Sequence, residues 1–109
     1  MHAQPDIAAV MRTLGDPTRR TVYEHIVEAG EATVGALASR STVSQPAISQ
    51  HLKALRSAGL VSERRAGRNV HYRVEPRGLE PLIDWLGVYG AFWRERFANL
   101  ETLLKEIDP

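Results

Sequence analysis

Gln45, Ser49, Gln50 and Lys53 recur at spacings of three or four along VSQPAISQHLKALRS, with Arg56 three residues further on. At that spacing they share one face of a helix. Glutamine carries a donor and an acceptor together and can bond bidentately to adenine, while serine can serve several bases. Lys53 and Arg56, further along the same face, suit phosphate oxygens better than base edges. Ile48, Leu52 and Leu55 occupy the opposite side, so the polar face is the one left outward. An ordinary solvated helix would show the same polar face, and the residues that follow it decide between the two.

Those residues are basic. From Val43 to Arg73 there are Lys53, Arg56, Arg64, Arg65, Arg68 and Arg73 against a single acid, Glu63, in a chain whose net charge is only +1. The remainder is therefore net acidic, and the positive charge is concentrated on one unit. Clustering of this kind marks a polyanion binder better than the total charge does. Gly67-Arg68-Asn69 supplies turn residues between two short strands, which places Arg68 at a hairpin tip. A cation at the tip, with Arg64 and Arg65 beside it, suits a minor groove or neighbouring phosphates. The alternative use of these arginines is to keep an edge strand soluble.

The elements that position these groups follow from pattern and punctuation. Ile7, Val10, Met11 and Leu14 predict a first helix from Pro5 to about Thr13, ended by Gly15. Asp16 is an N-cap with Pro17 at the first helical position, and the second helix buries Val22, Tyr23 and Ile26 before Gly30. Thr33 caps a short third helix carrying Val34, Leu37 and Ala38. Ser44 caps the fourth, where Pro46 is tolerated because no intrahelical donor is lost in the first turn. Gly59 closes it. Strands follow over about Val61 to Arg65 and Val70 to Val74, and a long helix spans Leu79 to Ile107. The expected organisation is one domain over residues 1–109, mainly α with a small β-hairpin, in the order α-α-α-α-β-β-α. Residues 33–58 form a helix–turn–helix, 60–75 a wing, and 79–107 a terminal helix.

LGDPTRRTVYEHI, VSQPAISQHLKALRSAGLV and RRAGRNVHYRV, in that order, resemble the ArsR family of winged helix–turn–helix bacterial repressors. The likeness covers about residues 7–104. It implies a homodimer joined through its terminal helices, bound to an imperfect palindrome in double-stranded DNA and repressing its own operon. By family position, Gln45, Pro46, Ser49 and Gln50 fall where recognition-helix contacts occur. Pro46 replaces a polar residue used there by some members, so an apolar contact stands in for one hydrogen bond. Arg19 and Arg20 match the family's DPTRR element, which implies an ion-pairing role in the fold for one and a phosphate contact for the other. WLGVYGAFWRERFANL resembles the SdpR-type branch of autorepressors, which lack the usual metal ligands.

Composition narrows the chemistry further. The chain has no cysteine, which removes disulfides, thiolate metal sites and thiol redox sensing. The last helix contains no histidine, so imidazole ligands for a first-row metal are missing there too; no metal and no cofactor are expected. His2, His25, His51 and His71 are scattered; His51, at the border of the buried stripe, suits packing or hydrogen bonding, the alternatives being a DNA contact and a ligand or proton switch. Ser49 and His51 cannot form a catalytic pair, because residues two apart do not face each other on a helix. No phosphate loop or nucleophile elbow is present, and no enzyme is expected. No apolar run is long enough to span a membrane and the N-terminus has no secretory pattern, which makes the cytoplasm the expected compartment.

The last helix holds both tryptophans and both phenylalanines of the chain. Its apolar surface is too wide for one contact, so it must be covered on more than one side. One stripe can pack on its own domain. Trp85, Tyr89, Phe92, Trp93, Leu100, Leu103 and Leu104 are assigned to a dimer interface. The alternatives are a pocket for a small organic effector between Trp85, Tyr89 and Trp93, or a docking helix for another protein.

Overall fold

The computed structural model describes residues 6–107. Pro5, the expected start of the first helix, and His2 lie outside the described residues. The order is α1 (Ile7–Leu14), α2 (Pro17–Ala29), β1 (Glu31–Thr33), α3 (Val34–Ser39), α4 (Gln45–Ser57), β2 (Val61–Ala66), β3 (Asn69–Val74) and α5 (Glu80–Ile107).

Each of the first four helices begins at a side-chain cap. Asp6, Asp16, Thr33 and Ser44 accept from the backbone N–H groups of Ala9, Arg19, Ala36 and Ala47. Each bond satisfies one of the four donors that a helix start leaves open. The bond from the Arg19 N–H holds the Asp16 carboxyl below its ordinary range, with the charges of His51 and Arg19 adding to the effect.

One element differs from expectation. The sheet has three strands, in the order β1-β3-β2, and all pairs are antiparallel. The additional strand, β1, pairs Glu31, Ala32 and Thr33 with Arg73, Tyr72 and His71. Three residues are too few for a period-two alternation to stand out, and Thr33 serves at once as strand end and helix cap. Ala32, at the centre of this strand, is buried in the core where α2 and α3 meet the sheet.

The core lies where α2, α3, α4 and the sheet converge. Ile26, Leu37, Ile48, Leu52, Leu55 and Leu60 are its fully buried side chains, with Val10 reaching in from α1. At the end of α4 the chain reverses through Gly59. Leu60 N–H donates to Leu55 C=O at 2.9 Å and Gly59 N–H to Arg56 C=O at 3.0 Å, the two bonds of a Schellman motif. Leu55 and Leu60 supply its apolar contact. This reversal sends β2 back alongside the helix it follows. Gly78 then packs against the same corner; a Cβ there would sit 2.7 Å from the Gly59 carbonyl oxygen, so only glycine permits this approach.

α5 begins at Glu80, one residue from the expected start. Leu79 and Leu82 pack on the core, but no residue of α5 is buried. The expected stripe against its own domain is thus confined to the first turn. Beyond it the helix stands away from the body, and the radius of gyration is 18.6 Å where a compact chain of this length has about 13 Å.

Candidate nucleic-acid interface

α3 and α4 form the helix–turn–helix, with Arg40 to Ser44 between them. α4 has two distinct sides. Ile48, Leu52 and Leu55 have no exposed surface, whereas Gln45, Pro46, Ser49, Gln50, Lys53 and Arg56 are all exposed. The proline costs the helix nothing in its first turn, where its missing N–H has no partner to lose. The exposed side of α4 is therefore continuous, with its uncharged polar groups at the N-terminal end and its cations towards the C-terminal end.

The wing is the β2–β3 hairpin. Its two-residue loop is Gly67-Arg68, and only Gly67 has positive φ, +64°. A positive φ at the first loop residue alone is the pattern of a type II′ turn, whose twist matches that of the flanking strands. Arg68 is consequently held at the exposed tip. Register puts Glu63, opposite Tyr72, and Arg65, opposite Val70, on the face that Val61 turns to the core, with Ser62 and Arg64 on the other.

The basic set divides into two groups. Arg56 Nη1 lies 2.7 Å from Glu63 Oε1, and Arg64 Nη2 lies 2.8 Å from Glu31 Oε1. The Arg64 Nε also donates to that Glu31 oxygen, which holds the Glu31 carboxyl below its ordinary range. Lys53, Arg65 and Arg68 make no ion pair among the described residues. Burial, and then the Glu63 carboxylate, push the Tyr72 hydroxyl up. The partners Glu31 and Glu63 were not singled out from sequence. Glu31 sits two strands from Arg64 and meets it only because of the unexpected β1. Glu63 could have been found, being seven residues from Arg56 across a glycine reversal.

The ion pair expected for one of Arg19 and Arg20 does not form among the described residues. Arg20 Nη1 instead donates to the Leu14 carbonyl at 2.8 Å, satisfying an open acceptor at the end of α1. Arg19 is half-buried with its Nε unpartnered, as is Nδ1 of His51 in α4.

The aromatic residues of α5 stay together but uncovered. Trp85 stacks obliquely on Tyr89 at 4.9 Å between centroids, and Trp93 meets the edge of Phe92 at 5.2 Å. Arg96 lies 3.7 Å over the Phe92 ring. Trp85, Tyr89, Trp93 and Phe97 border an open apolar trough floored at Gly90. Trp85, Tyr89, Phe92, Trp93, Leu100, Leu103 and Leu104 are each 41–55% exposed.

A polar helix after a short helix, with a cation-tipped hairpin beside it, defines a winged helix–turn–helix of the kind DNA-binding regulators use. A helix-turn-helix domain model matches residues 14–64. The chain is 43% identical over 103 residues to the HTH-type transcriptional regulator Rv2034 of Mycobacterium tuberculosis, covering 94% of this chain and 91% of that one. It is 32% identical to the transcriptional repressor SdpR of Bacillus subtilis, over 71% of this chain and 84% of the repressor. Among solved structures, a possible transcriptional regulator for arsenical resistance superposes with a TM-score of 0.66 at 37% identity, covering 84% of this chain and 92% of that one. The chain belongs to the ArsR family of transcriptional regulators.

Proposed function

We propose that this regulator is a homodimeric repressor that reads an imperfect palindrome, including one at its own gene. The observation that carries this reading is the two-sided character of α4, with Ile48, Leu52 and Leu55 sealed in the core and Gln45, Ser49 and Gln50 outward. Each subunit places α4 in a major groove, the two grooves about one helical turn apart. Gln45, Ser49 and Gln50 meet base edges, and Pro46 offers an apolar contact of the kind a thymine methyl accepts. Lys53, Arg65 and Arg68 meet phosphates, with Arg56 and Arg64 flanking them in their ion pairs.

The dimer forms through α5. An uncovered apolar surface of this size on a free subunit is costly in water. Trp85, Tyr89, Phe92, Trp93, Leu100, Leu103 and Leu104 are its contact residues, and the partner's side chains fill the trough over Gly90. Transition metals and arsenicals are not its signal. Soft thiophilic ions select thiolate ligands and first-row ions select imidazole or thiolate; the chain has no cysteine and α5 has no histidine. No helix among the described residues is long and apolar enough to cross a membrane, and the protein acts on DNA in the cytoplasm.

Titration of the purified protein against the duplex upstream of its own gene, with unrelated duplex as competitor, tests the reading. Two subunits per site and binding that survives the competitor are expected. Equal affinity for both duplexes would contradict it.

A further inference from the structure

Glu63 is the single acid between Val43 and Arg73, and it stands on the wing beside the reading helix. The Schellman reversal at Gly59 turns β2 back along α4, and the alternation of β2 points Glu63 to the same side as buried Val61. Its carboxylate therefore meets Arg56, in the last turn of α4, at 2.7 Å. Tyr72 stands opposite Glu63 on β3 and packs against the core, so the strand segment carrying the carboxylate is anchored. Among the described residues this is the only ion pair joining α4 to the wing.

We propose that Glu63 is a positioning residue: it holds Arg56 against the wing and withholds that arginine from DNA phosphate. The proposal rests on the DNA-reading function above. Its consequence is a limit on indiscriminate binding. A phosphate contact adds affinity for every sequence alike, whereas base contacts add it only for the right one. An arginine occupied by an internal carboxylate does not raise the background. The ion pair is partly exposed, with Arg56 and Glu63 side chains 54% and 34% accessible. Its worth to folding is correspondingly small, which leaves Glu63 open to substitution without loss of the fold.

The test is the slope of log K against log salt, on the operator duplex and on an unrelated duplex. The full-length wild type is compared with Glu63→Gln, Arg56→Gln and the double variant. Each phosphate neutralised steepens the slope by about 0.9. Glu63→Gln is expected to steepen it by about that amount per subunit, to tighten binding to both duplexes at low salt and to lower the operator preference. Arg56→Gln is expected to leave the wild-type slope unchanged, and the double variant to return to it. An Arg56→Gln protein with a shallower slope would show Arg56 already on phosphate and overturn the proposal. So would a Glu63→Gln protein with the wild-type slope. Arg56→Gln carries the test alone if Glu63→Gln does not fold. A wild type with no operator preference would remove the DNA-reading function itself, before any variant is compared.

Discussion

Leu52 in α4 and Trp93 in α5 both belong to apolar stripes at helical spacing, yet Leu52 is 0% exposed and Trp93 is 51% exposed. The two helices differ in what lies opposite. α4 is held by α2 and α3 on its apolar side and by the reversal at Gly59 at its end, so its polar side is left free by subtraction. α5 is tied to the body at Leu79, Leu82 and the Gly78 corner, and beyond them its large apolar side chains are exposed among the described residues. A stripe shows which face seeks cover. It does not show whether the cover comes from the same chain.

That difference predicts opposite responses to truncation. Leu52→Ala leaves a cavity in a fully packed site and should cost about 2–5 kcal/mol in urea unfolding. Trp93→Ala should spare the packing of the body and act on association instead. A central interfacial tryptophan is worth about 2 kcal/mol or more, which would appear as a weakened dimer in sedimentation. If Trp93→Ala left self-association unchanged, the two helices would not divide into an internal and an external surface.

The division was legible for α4 and only in part for α5. Capping residues, Pro17, Pro46 and the glycines punctuate the first four helices clearly, and the expected face of α4 is the observed one. The aromatic excess of α5 predicted more apolar surface than its own domain covers, and that surface is exposed. The near absence of a contact with its own body beyond the first turn was not legible, because periodicity carries no information about where a helix points. β1 was missed for its length, and with it the Glu31–Arg64 pair. Charge counting placed all the arginines of the wing in one group, whereas the structure sorts them by whether a carboxylate comes within reach. That depends on strand order and register.

The reading surface offers smaller effects. Gln50→Ala should relax discrimination at one position in each half-site by about 1–3 kcal/mol. Measured over a panel of single-base operator variants, a uniform loss across the panel would move Gln50 from base edge to backbone. Arg68→Ala should weaken binding to all duplexes and reduce the salt slope by about 0.9 per subunit. An unchanged slope would take the wing tip out of the contact surface.

The smallest expected effect is the pH dependence of the Glu31–Arg64 pair. Arg64 lowers the Glu31 carboxyl in the folded state, its side-chain bond being the largest cause. A depressed carboxyl contributes stability above the unfolded carboxylate range, and that contribution is lost as pH falls through the folded value. Wild type and Glu31→Gln should therefore differ in stability at neutral pH and converge in acid. A difference that persisted in acid would assign the effect of Glu31 to β1 pairing rather than to its charge.

A second copy of this chain is proposed to cover α5. Sedimentation equilibrium of the purified protein at micromolar concentration, without DNA, tests it most directly. A species of twice the 12.1 kDa chain mass is expected, its dissociation constant raised by Trp93→Ala. A monomeric wild type would contradict it.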